Sequence, residues 1–121
     1  MPRAKSEHYV DNKRLYAEMV EYLNGVKEAE ESDSTPPRIP EYIGECLLKI
    51  STRLSTKPNF INYTYRDEMI SDGIENCINY IGNLIPRSLL IHLHTLLKLY
   101  IMHSLEEFKE KRNNYTSNIN L

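Results

Sequence analysis

Glu68-Met69-Ile70-Ser71-Asp72-Gly73-Ile74-Glu75-Asn76-Cys77-Ile78-Asn79-Tyr80-Ile81 alternates apolar and polar residues with a helical period. Met69, Ile70, Ile74, Cys77, Ile78 and Ile81 recur at intervals of three and four, which stacks them on one face of an α-helix. Glu68, Ser71, Asp72 and Glu75 fall on the opposite face and are expected to meet solvent. Thr64-Tyr65-Arg66-Asp67, just before, reads as a capped helix start. Gly73 sits mid-helix, where glycine costs about 1 kcal/mol against alanine, so a close contact is predicted there.

Working toward the N-terminus, Pro40 suits the opening of a helix because its missing N–H is not needed there. Ile43, Leu47, Ile50 and Leu54 form that helix's stripe, with Cys46 beside them. The stretch between the two helices, Lys57 to Tyr63, reads as a loop. The apolar face of the Met69–Ile81 helix is expected to pack on the helix that starts at Pro40. Glu28 to Arg38, with Glu-Glu-Ser-Asp-Ser-Thr-Pro-Pro, reads as an exposed linker. Before it, Leu15, Met19, Val20, Leu23 and Val26 predict a helix from Asp11 to about Lys27, capped by Asp11 or Asn12. Residues 1–10 are polar and expected to be loose. Toward the C-terminus a long helical pattern runs from Ser88 to about Arg112. No period-two strand pattern and no internal repeat is found, so the fold class is all-α. The chain divides into a helix and flexible linker over 1–37, a pair of helices over 38–83, and a helical tail over 84–121.

Composition narrows the function. The 121 residues are 40% hydrophobic, enough for a modest globular core. A net charge of -2 lacks the basic surplus of a free-standing DNA-binding domain, so any DNA affinity depends on a partner. Cys46 and Cys77 lie in apolar stretches without metal-ligand spacing and read as buried, reduced thiols of a cytosolic protein. No apolar run follows Met1-Pro2-Arg3, so no signal peptide is expected. His92, His94 and Lys98 interrupt the apolar stretch Leu89–Met102, which is too short and too polar to span a bilayer. His92 and His94 are two residues apart and point away from each other, so with His103 they predict no metal site. The run of Glu106, Glu107 and Glu110 with Lys109, Lys111 and Arg112 reads as a solvated helix face. No triad, nucleophile elbow or glycine-rich phosphate loop occurs; no catalytic residue and no cofactor is expected. Phe60, Tyr63 and Tyr65 lie near Arg53, Lys57 and Arg66, an interleaving that can stack on single-stranded bases but more commonly reflects core and loop packing.

Glu68-Met69-Ile70 and Asp72-Gly73-Ile74-Glu75 resemble the helix by which sigma factors dock on the clamp helices of RNA polymerase, where Asp-Leu-Ile-Gln-Glu-Gly is typical. The similarity is closer to the late-transcription sigma factors of T4-type phages. It extends back through Arg53-Leu54-Ser55-Thr56-Lys57, Phe60 and Tyr63. The resemblance implies a small helical bundle like sigma region 2, with 38–83 as its polymerase-docking part. It implies that Glu68, Ser71, Asp72 and Glu75 meet basic and polar groups on the clamp helices of the host polymerase core. It further implies action in the cytoplasm of a bacterial host, and contact with promoter DNA only within the holoenzyme. No DNA-binding residue is assigned.

The resemblance stops at Asn83. The family continues with Phe-Asp-Pro and an aromatic helix ending in Arg and Lys, whereas this chain reads Leu84-Ile85-Pro86-Arg87-Ser88-Leu89-Leu90. One lost T at the Asn83–Leu84 junction accounts for the difference: AAT TTG ATC CCG AGA AGT becomes AAT TTT GAT CCC GAG AAG T, which encodes Asn-Phe-Asp-Pro-Glu-Lys. Some later steps leave little freedom. Met102-His103 forces Ala in the restored frame, Glu107-Phe108 allows only Ile or Val, and Glu106-Glu107 only Arg or Gly. Each agrees with the family pattern, so 84–121 is expected to be an atypical, out-of-frame helical tail. The DNA-melting half is then lost, and so is the C-terminal tail by which family members bind the sliding clamp. The alternative expectation is a helical adaptor that binds or inhibits RNA polymerase without promoter recognition.

Overall fold

Asp11 sets the first helix. Its Oδ1 accepts hydrogen bonds from the backbone N–H groups of Lys13 (3.1 Å) and Arg14 (3.2 Å), a cap worth about 1 kcal/mol. In the computed structural model, which describes residues 9–83 and 87–119 with side chains at 9–81 and 88–114, α1 spans Asn12–Glu31 and buries Leu15, Met19, Leu23 and Ala29. It continues past the predicted end near Lys27 because Ala29 gives the last turn an apolar anchor. Ser32 then closes it, with its N–H and Oγ both donating to the Glu28 carbonyl. Asp33, at φ 54, turns the chain out of the helix. The linker is therefore shorter than expected, and it folds back: a Cβ on Gly25 would stand 3.1 Å from Pro37 Cγ.

Helix α2 spans Glu41–Leu54 with Pro40 as its N-cap, as predicted, and buries Tyr42, Ile43, Cys46, Leu47 and Ile50. The Tyr42 hydroxyl accepts from the Asp11 N–H at 2.9 Å and ties the start of α2 to the start of α1. Between α2 and α3 the chain makes a series of turns around Phe60, which is 1% exposed and anchors the loop in the core.

Helix α3 spans Arg66–Asn83. A 3₁₀ segment, Arg87–His92, leads into α4, Leu93–Ile119. The single long helix predicted from Ser88 is thus split at its start and carried beyond Arg112 at its end. Leu90, Leu93, Leu97, Ile101 and Leu105 are all buried and line the inner face of this tail. Among the described residues there are four α-helices and no strand, an all-α small bundle. Its helices share one core, to which α1, α2, the loop residue Phe60, α3, the 3₁₀ segment and α4 all contribute.

The position of α3 differs from expectation in one respect. Its apolar face packs on α2 as predicted, but it packs more extensively on α4, which was not predicted. Met69, Cys77 and Ile81 are fully enclosed, while Ile74 and Ile78 are only half-buried at the edge. Gly73 makes the approach possible, since a Cβ there would lie 3.1 Å from Leu105 Cδ2 of α4.

Candidate functional site

The polar side of α3 carries the four residues singled out above. Glu68, Ser71 and Glu75 are exposed on it. Asp72 is not: it is half-buried and turned toward α4, which corrects its expected place among the solvent-facing residues. Packing causes the turn. Asn76, one helical turn on, donates from Nδ2 to Asp72 Oδ2 (3.1 Å) and to Ser104 Oγ of α4 (3.0 Å). Asp72 thereby becomes one wall of an α3–α4 cleft of about 410 Å³, with Glu107, Phe108, Lys111 and Arg112 opposite.

Charges in this cleft are mixed. Lys111 Nζ lies 2.6 Å from Glu107 Oε1. The Lys111 ammonium is held above its ordinary pKa mainly by Glu107, with a smaller contribution from Asp72. Glu107 in turn is held below the ordinary carboxylate range, chiefly by its hydrogen bond with Lys111. Arg112 stacks over the Tyr65 ring at 3.6 Å from the centroid, and its pKa is raised first by Tyr65 and also, more weakly, by Glu68. An acidic ridge on α3 is thus flanked by two cations from α4. Sequence reasoning left Asn76, Ser104, Lys111 and Arg112 unassigned. Their partners lie far away in the chain, and the charge run at 106–112 carries no periodic mark distinguishing it from a solvated face.

The aromatic residues of the preceding loop, and Arg66, are engaged within the chain, while Arg53 and Lys57 are exposed. Phe60 is buried. Tyr63 and Tyr65 meet edge to face at 5.8 Å. Lys109 Nζ sits 5.3 Å from the Tyr63 centroid and 5.9 Å from that of Phe60. Arg66 Nε donates to Ser55 Oγ at 3.0 Å, tying the start of α3 to the end of α2. This arrangement fits core and loop packing, the commoner of the two explanations weighed for the cluster. Among the described residues the buried Tyr63 hydroxyl has no hydrogen-bond partner, and neither has Ser51 Oγ of α2; burial raises the Tyr63 pKa.

Both cysteines are buried. Burial pushes the Cys77 thiol up to about 12. Among the described residues no group of three His, Cys, Asp or Glu side chains is placed to hold a metal ion. No helix among them is long and apolar enough to cross a membrane. No family model, curated protein or solved structure matches the chain.

Proposed function

We propose that the chain is a sigma-like transcription initiation factor of the T4-type phage late class, which docks on the clamp helices of the host RNA polymerase core in the bacterial cytoplasm and directs it to late promoters. One observation carries the reading. The residues that resemble the sigma docking motif lie on a single helix, with Glu68, Ser71 and Glu75 exposed together along it and Asp72 at its edge. Carboxylates grouped on a rigid helix suit charge-assisted hydrogen bonds to Arg and Lys of a partner helix. The chain supplies no catalytic group in this reading; nucleotide addition belongs to the polymerase.

Promoter melting asks for more than docking. It requires aromatic faces for unstacked bases and cations for the backbone. The described part of the tail offers Tyr100 and Phe108, both partly buried against the core, and Tyr100 is already stacked on Tyr80 at 4.3 Å. Glu106, Glu107 and Glu110 stand nearby on the same helix. In this reading the DNA-melting half is lost after Asn83, and one restored base returns it.

A second reading has its own support. Leu90, Leu93, Leu97, Ile101 and Leu105 fill the core as a functional helix would. That favours a helical adaptor which occupies the clamp helices without recognising a promoter.

Permanganate footprinting of an AT-rich late promoter, which reports unpaired T, tests the proposal. Core polymerase is mixed with the chain as it stands or with a chain restored by one T after codon 83. The sigma reading expects reactivity with the restored chain only. If neither chain gives reactivity while the chain as it stands blocks the host sigma factor, the adaptor reading replaces it. Equal opening by both chains overturns the frameshift account.

A further inference from the structure

We propose that the cleft between the end of α2 and the first turns of α4 binds a small phosphorylated molecule, its phosphate held by Arg53, Lys57 and Lys98. This site is separate from the α3 docking face and does not depend on the reading given to it. The cleft has a volume of about 410 Å³, within the range of small-molecule sites. Arg53 comes from the last turn of α2, Lys57 from the turn that follows, and His94 and Lys98 from α4. No carboxylate lines the cleft. Among the described residues none of Arg53, Lys57 and Lys98 joins an ion pair.

Cations gathered without counter-charge repel one another. The C-terminal carbonyls of α2 offset part of that repulsion, but a helix end carries only about half an elementary charge. The His94 imidazole is held below its ordinary pKa first by burial and then by Lys98. A phosphate monoester supplies the missing negative charge. Arg53 offers it a planar fork of donors, and the two lysines act as point charges. Ile50 and Leu54 form an apolar wall beside the charges, against which the organic part of the ligand rests. The net charge of -2 argues against a long polyanion, which would need a basic surface extending beyond one cleft.

The test is an NMR titration of the full chain, following the His94 imidazole and the Lys98 side chain. The probes are inorganic phosphate and adenosine 5′-monophosphate, with sodium chloride at matched ionic strength and a short oligothymidylate as comparisons. Saturable shifts with phosphate and a tighter curve with the nucleotide are expected. Arg53→Gln and Lys98→Gln should each weaken binding about tenfold, Lys98→Arg should largely retain it, and Lys13→Gln on α1 should leave it unchanged. All three side chains are exposed, so the fold survives these changes. Shifts reproduced by chloride, curves that never saturate, or affinity unchanged from the parent in Arg53→Gln and Lys98→Gln overturn the proposal. Binding of oligothymidylate through these residues, with none of phosphate or nucleotide, overturns the small-molecule assignment.

Discussion

At Gly73 the backbone of α3 meets the side chain of Leu105, itself fully buried, and a Cβ there would stand only 3.1 Å from Leu105 Cδ2. A larger residue there has nowhere to go. Gly73→Leu is expected to destabilise the protein by about 1–3 kcal/mol, the usual cost of overpacking, despite the gain in helix propensity. Urea unfolding checks this, and an unchanged midpoint would mean that α3 and α4 lie further apart. Cys77 makes a second prediction. Its folded pKa of about 12 exceeds the ordinary 9.0, so the folded state holds this proton more tightly than the unfolded chain. The stability it supplies is whole below pH 9.0 and is lost as pH rises toward about 12. In the native protein Cys46 and Cys77 should resist a thiol reagent at pH 8, roughly where exposed thiols begin to ionise, and both should react in denaturant. The need for glycine at 73 was legible in the sequence. The turn of Asp72 toward α4 was not, because it follows from Asn76 bridging to Ser104, a contact between distant parts of the chain.

Periodicity located every helix, since burial of one face is what stabilises an amphipathic helix. Helix ends were harder to place. The stop of α1 rests on Ser32 and the φ of Asp33, and the sequence there reads simply as polar. The tail tests how far packing alone makes a helix real. Leu97 is fully buried on α4 and Leu99, two residues on, is 64% exposed. Leu97→Ala should cost about 2–5 kcal/mol by leaving a cavity. Leu99→Ala should stay within about 0.5 kcal/mol of the parent. Chemical unfolding of the two variants decides the matter, and equal small effects would show that α4 does not belong to the core. At the other end, Asp11→Ala should lower stability by about 0.5–2 kcal/mol through loss of the α1 cap.

The whole molecule presents an acidic ridge on α3, two α4 cations beside it, and one shared core beneath. The ridge was legible in the sequence because its residues sit on one helix. The flanking cations were not, since which face of α4 meets α3 is set by Gly73 and Leu105 rather than by any motif. Docking on the polymerase clamp is the claim on which the functional account stands. Glu68 and Glu75 are both exposed, so reversing them together leaves the packing of α3 intact. The direct measurement is the affinity of the chain for isolated clamp helices at low salt, for the parent and for Glu68→Lys with Glu75→Lys. The account predicts a loss of tenfold or more, about 1.4 kcal/mol, that shrinks as salt is raised. Unchanged binding by the double variant, or no binding by the parent, contradicts it.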